Sequence, residues 1–185
     1  MRPHVLGVDD APFEKGQRAE VPVVGVMMEG ATLVEGVAVG AFPVDGDGAT
    51  DYLSAWIGAQ RWWPSLQAVV LGGITIAGLG VVDVAALAAG LGCPVLVATR
   101  RDTAASTLAS ALRTAGMADR VAVVERTPPA SEVASGLFVA CAGTSQAEAA
   151  RLVRATLGKA NVPEPLRVAH LIGAALVRGT SHGRV

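Results

Sequence analysis

Short, nearly uninterrupted apolar runs alternate along the chain with longer amphipathic stretches, and the two periods divide it into strands and helices. Val5-Leu6-Gly7-Val8 is apolar or glycine throughout and stops on Asp9-Asp10 before Ala11-Pro12. That pattern predicts a strand covered on both faces that delivers two carboxylates to the end of a sheet. Ala11 to Glu20 mixes Pro12, Gly16 and several charges and reads as a connection. Val21 to Met28 predicts a second strand, Glu29-Gly30 a tight turn, and Thr32 to about Val44 a third, giving three sequential antiparallel strands. Asp45-Gly46-Asp47-Gly48 closes the third, with Thr50 or Asp51 placed to cap a helix running through Ala59. Trp62-Trp63-Pro64 ends that helix. Two adjacent indoles form either a lid on the core or a stacking surface for bases, and the lid is the commoner arrangement.

Beyond Gln67 the pattern changes to strand and helix in alternation, which implies parallel strands joined by crossovers. Gln67 to Leu71 is a short buried strand with Gly72-Gly73 at its exit, and Val81 to Leu91 is a helix stopped by Gly92. Pro94 to Thr99 predicts the next strand, which finishes on Arg100-Arg101-Asp102. A helix from about Thr103 to Thr114 follows, ended by Gly116. Val121 to Val124 reads as a further strand, Thr127-Pro128-Pro129 as a turn, and Leu137 to Cys141 as a last strand. Ser145 opens an amphipathic helix to about Leu157. Pro163 and Pro165 open a final helix that carries Arg167 and His170, and the tail from Arg178 to Arg184 is polar and glycine-rich.

The 185 residues suffice for one well-packed α/β domain spanning 1–185. With 51% apolar and only 4% aromatic residues, its core must be built from Val, Leu and Ala. No stretch has the length and uniform apolarity of a membrane span, and no basic segment followed by an apolar run opens the chain, so a cytoplasmic protein is expected. Cys93 and Cys141 fit no metal-ligand spacing and are expected to be buried thiols. The net charge of −1 hides an asymmetry: residues 1–99 hold four Lys/Arg against ten Asp/Glu, and residues 100–185 hold eleven against six. An acidic cluster for a cation beside a basic surface for phosphate gives such a pattern, as does scattered surface charge. The glycine-rich run Gly72 to Gly80 lacks the Lys-Ser/Thr of a phosphate-binding loop.

Three antiparallel strands, a helix and then parallel strands is the order of a ribonuclease H-like fold, with a mixed sheet and helices on both faces. In that layout the first and fourth strands are neighbours, so Asp9 is expected across from Leu71-Gly72-Gly73, at a sheet end where ligands gather. Asp9 and Asp10 then become one wall of a site for a divalent cation, with Asp45 or Asp47 available from the end of the third strand. Mg²⁺ or Mn²⁺ suits such carboxylates. Arg100 and Arg101 leave the neighbouring strand at the same edge, where guanidinium groups hold phosphate bidentately. Each has a plainer reading: Asp is a common turn residue, and a strand-end Arg pair is often a solvated rim. His170 is either a proton shuttle or a packed, hydrogen-bonded side chain on an apolar helix.

Several of these segments together resemble one family. They are Val5 to Phe13, Val44-Asp45-Gly46 with Ala49-Thr50, Gly73-Ile74-Thr75 with Ala77-Gly78 and Val82-Asp83, Val97 to Arg101, and Pro163 to Ile172. They look like the family long catalogued as domain of unknown function 99, related to endonuclease V and also called endonuclease dU. The resemblance runs from Val5 to Arg184. It implies a ribonuclease H-like fold and a metal-dependent endonuclease that cleaves DNA near a deaminated base, deoxyuridine in the namesake activity. By that likeness Asp9 falls at the first metal carboxylate, Asp45 is a weaker match to the second, and Arg100 or Arg101 falls near the basic residue after the fifth strand. Arg167 is a further candidate contact for DNA. The chain departs from the pattern at Gly72, Gly48 and Thr180, where the family usually carries acids, so a relative that binds nucleic acid or serves in assembly without catalysis is the alternative. Whether two chains form a homodimer is left open.

Overall fold

The computed structural model describes residues 2–100 and 105–181. Arg101, Asp102, the start of the predicted helix at Thr103, and the tail from His182 lie outside the described residues. Three strands open the chain, β1 (His4–Asp10), β2 (Glu20–Glu29) and β3 (Leu33–Pro43). Then come helix α1 (Ala49–Gly58), strand β4 (Ala68–Leu71), a two-rung hairpin of β5 (Thr75–Ile76) and β6 (Gly80–Val81), and helix α2 (Val84–Leu91). The second half comprises β7 (Val95–Thr99), α3 (Ala105–Thr114), α4 (Val121–Glu125), β8 (Ser131–Ala134), β9 (Leu137–Ala142), α5 (Gln146–Ala155) and α6 (Glu164–Arg178).

Seven strands form one mixed sheet in the order β3-β2-β1-β4-β7-β9-β8. The antiparallel register of β1 on β2 runs from His4 opposite Glu29 to Asp10 opposite Val23. β1 is parallel to β4, with Val8 opposite Leu71, and β4 is parallel to β7. This is the ribonuclease H-like arrangement, and β1 sits in it with a neighbour on each side. Val5, Leu6 and Val8 are all buried, as a strand covered on both faces requires. On one face α1 and α2 pack Leu53, Ile57, Leu87 and Leu91 against Leu6, Val8, Val69 and Leu71. On the other, α5 and α6 cover Val5, Val70, Leu96 and Val139, while Ala169 of α6 meets Val24, Val26 and Met28 of β2.

The parallel stretch ends at β7, since β9 pairs with it antiparallel. Val121 to Val124 is a correction to the expected strand. It forms the helical turn α4, burying Val121 and Val124 against Leu112 and Ala109 of α3, and an apolar run this short suits a buried helical turn as well as a strand. Helix α2 starts at Val84 because Gly80-Val81 is used in the hairpin and Asp83 caps the helix by accepting from Ala86 N–H at 3.1 Å. The cap of α1 is Gly48, and the Thr50 hydroxyl instead accepts from Asp83 N–H at 2.9 Å. Trp62 and Trp63 lie half-buried on the core, the lid arrangement. Cys93 and Cys141 are free thiols; burial pushes Cys93 up to about 11.

Candidate functional site

The last helix determines where the chemistry can sit. Its N-terminal end is anchored by Glu164, only 4% exposed, which accepts a bidentate pair of hydrogen bonds from Arg167, Nε to Oε1 at 3.0 Å and Nη2 to Oε2 at 2.6 Å, and another from Lys159 N–H at 3.2 Å. From there α6 runs directly against β1. Gly7 allows this contact, because any side chain there would collide with the backbone of Pro165 and Leu166. At the other end of the contact a methyl group on Gly173 would meet Ala11 Cα at 3.1 Å. Between those two close approaches His170 is held over the end of β1, and its Nδ1 lies 2.8 Å from Asp9 Oδ2.

Asp9 and His170 are both partly buried, with side chains 22% and 40% exposed. The hydrogen bond to Asp9 is the main cause that raises the His170 pKa, opposed by burial and by the charge of Arg178. Asp10, next along the strand, is pushed up to about 6, first by burial and then by the charge of Asp9; an N–H bond from Ala77 works the other way. Successive strand residues face opposite sides of a sheet, so Asp9 meets His170 on the α6 face while Asp10 turns to Ala77 on the α1/α2 face, and each carboxylate still feels the other's charge across the strand end. Across the parallel pair stands Gly72, where a methyl group would lie 3.6 Å from Asp9 Oδ1 and 3.7 Å from Leu166. The Asp9 end of β1 therefore faces the exit of β4.

Gly72 also lines a cleft of about 600 Å³ that opens beyond the ends of β4 and β7, with Ile74, Val97, Thr99, Leu108 and Pro128 among its walls. Its size is that of small-molecule sites. Asp45 reaches the Asp10 side of the sheet end through Ala77, which accepts from the Asp45 N–H and donates its own N–H to Asp10. Asp45, with φ of 55°, is tied into a loop contact: its backbone N–H donates to Ala77 O at 2.8 Å, its Oδ1 accepts from Leu79 N–H at 2.8 Å, and Lys15 Nζ is 3.3 Å from Oδ2. Asp47 pairs with Arg120, which also donates to the carbonyls of Asp45 and Leu79. Arg100 is exposed just past β7 and forms no ion pair among the described residues. Arg101 lies outside them. Arg178 is the residue that sequence reasoning passed over; it falls eight positions after His170 and so on the same helical face, a periodicity the sequence displays.

Mg²⁺ is commonly held by one or two carboxylates together with waters and substrate phosphate, and the Asp9 carboxylate, part-exposed at the strand end, is a group of that kind. Among the described residues, the group of three whose ligand atoms all lie within 4.8 Å of one another is a different one, His4, Glu29 and Glu35 at the opposite end of β1. No helix among the described residues is long and apolar enough to cross a membrane.

Comparison with known proteins follows this geometry. The profile of the family described as Endonuclease dU matches residues 2–177. A UPF0215 protein of Deinococcus radiodurans is 39% identical over 183 residues, which cover 98% of this chain and 92% of that protein. A crystal structure of a protein of unknown function from Archaeoglobus fulgidus superposes with a TM-score of 0.88 at 30% identity, covering 96% of this chain and all of the other. An endonuclease V of Ciona intestinalis, crystallised with a 24mer DNA containing an inosine followed by a ribo-adenosine, superposes with a TM-score of 0.58 at 14% identity, over 91% of this chain and 82% of that one. The last likeness is one of fold.

Proposed function

The chain belongs to the endonuclease dU family, and on that premise we propose that it is an endonuclease hydrolysing a DNA phosphodiester at or near a deaminated base, deoxyuridine first, with Mg²⁺ or Mn²⁺. The observation that carries the reading is the Asp9–His170 pair, set across from Gly72, a residue that on its own account also lines the cleft. A base that is mispaired is cheaper to unstack than a normal one, and a cleft of this size accepts one.

Asp9 and Asp10 are the residues that would hold the cation. When bound there, it polarises a phosphate oxygen and makes water a better nucleophile at neutral pH. The remaining work falls to side chains. The Asp9 contact occupies His170 Nδ1, which leaves Nε2 to exchange a proton with water or with the departing oxygen. Arg100, and Arg101 beside it in sequence, supply positive charge for the phosphate. Arg167 is bound to Glu164, so the proposal gives it the anchoring of α6. Asp45 and Asp47, whose oxygens are engaged by Leu79, Lys15 and Arg120, are assigned to holding the loops that frame β1.

A nicking assay tests this directly, using duplexes that contain uracil or hypoxanthine with Mn²⁺ or Mg²⁺. Wild type is expected to cut lesion-containing DNA, and Asp9→Asn to fall to background while still binding the duplex. Equal background from both proteins would sink the enzyme reading. A second reading, a nucleic-acid binder without catalysis, is favoured by Gly72, which leaves the carboxylates one acid short at the β4 exit. Retained binding with no cutting by wild type would select it.

A further inference from the structure

Strand β3 closes one edge of the seven-stranded sheet, and the two faces of that strand are treated differently. On the α1 side its glycines are covered: Trp62 packs over Gly36, and Tyr52 and Trp56 over Gly40. On the α6 side no described residue packs over its valines enough to bury them. Helix α6 lies over β1 and β2, where Val168 and Ile172 pack with Val24, Val26 and Met28. The next strand outward then presents Val34, Val37 and Val39 at 45%, 49% and 53% exposure, with Leu176 of α6 exposed at 51% on the same side. The result is an apolar trough one strand wide, bounded by the helix on one side and by an unpaired backbone edge on the other.

Proteins blunt such edges with charges, prolines or bulges because a long flat apolar edge pairs with other chains. Here eleven residues, Leu33 to Pro43, contain one charge, Glu35, one bulge beside it and one proline, Pro43, at the last position, which leaves Gly36 to Phe42 free of all three. We propose that this edge is the contact between two copies of the chain, β3 pairing with β3 of its copy antiparallel about a two-fold axis. An antiparallel pair of identical strands satisfies that symmetry by construction.

The charge pattern favours a second copy as the occupant. Centring the axis on Ala38 sets Val37 opposite Val39 of the copy and Gly36 opposite Gly40. Glu35 then faces Ala41, which holds the two Glu35 carboxylates about 20 Å apart along the strands. A strand with several charges would meet its like in that register; this one does not. Strand β3 itself carries no Lys or Arg, which sets it apart from a nucleic-acid contact. The proposal is independent of the nuclease reading.

Sedimentation velocity on the full chain measures it. Wild type is expected at twice the 18.7 kDa of the chain, and the double variant Val37→Lys, Val39→Lys at the single mass with an unchanged circular dichroism spectrum. Ala38→Cys, which needs no disruption of packing, is expected to give a covalent dimer on mild oxidation, because residues facing each other across an antiparallel pair lie within disulfide reach. A wild-type chain that stays monomeric at every concentration would overturn the proposal. So would a dimer in which Ala38→Cys gives no cross-link above the background from Cys93 and Cys141.

Discussion

Asp10 keeps its proton to about pH 6, while the same residue in an unfolded chain loses it near the ordinary value of 3.8. Between those two values the folded protein binds more protons than the unfolded one, so stability falls as pH rises through that window and stays lower above it. Asp10→Asn removes the cost of the buried charge and leaves a polar group able to accept from Ala77. It is expected to leave stability unchanged at pH 4 and to raise it by on the order of 2–3 kcal/mol at pH 8. Urea unfolding at the two pH values reads the difference. Equal gains at both would mean that packing, not charge, sets the effect. Added Mn²⁺ is expected to raise the unfolding temperature of wild type at pH 8 and to do so less for the variant, since a cation stabilises only the state that binds it. His170 has the opposite sign. Its pKa is raised by Asp9, so the stability it contributes is full below about 6.5 and is lost as pH climbs through its raised folded value. His170→Gln is therefore expected to destabilise the protein at pH 5.5 and to converge with wild type at high pH.

Helix α6 is the element that turns a sheet end into a site, and its position depends on the absence of two side chains. Gly7→Ala would drive a methyl group into the Pro165–Leu166 backbone, which has no rotamer with which to give way. The expected cost is about 3 kcal/mol, the upper part of the range for overpacking. Because the helix must lift, the His170–Asp9 bond goes with it, and the pH dependence of stability assigned to His170 should flatten in the same variant. Periodicity foretold this helix and six of the seven strands of the large sheet, because each buries a regular face and little else could satisfy it. It failed where an element is short or polar. Ser131–Ala134 buries Val133 alone as an edge strand, and α4 is one helical turn whose four apolar residues fit either period. The Gly48 cap was hidden for a different reason: Thr50, the residue with a capping side chain, is spent on Asp83 across 33 positions of sequence.

Across the whole molecule, the division into an acidic first half and a basic second half is only partly spent on pairs between the two. Arg120 meets Asp47, Arg126 meets Asp83, and Arg167 is absorbed by Glu164, which leaves Arg100 and Arg178 as basic side chains near the site without an ion pair among the described residues. Charge counting could not reveal this, since it does not know which pairs close. Topology revealed more: the meeting of Asp9 with Gly72 followed from the strand order, whereas the partner of Asp9, 161 positions away, needed the path of the last helix. The strand order also defines the sharpest test of the cation site. Gly72 has open space on its side-chain face, and the nearest atoms to a methyl group there are Asp9 Oδ1 and the Leu166 methyls at ordinary contact distances. Gly72→Asp therefore fits, and it brings a third carboxylate to Asp9 and Asp10. Without metal the added repulsion is expected to lower the unfolding temperature at pH 8. With metal the same charge becomes a ligand, and Mn²⁺ affinity measured by calorimetry is expected to rise by about tenfold, or roughly 1.4 kcal/mol. The two signs must appear together. A variant destabilised in the absence of metal and bound no more tightly by Mn²⁺ would place the cation away from the β1–β4 junction, and with it the hydrolytic centre.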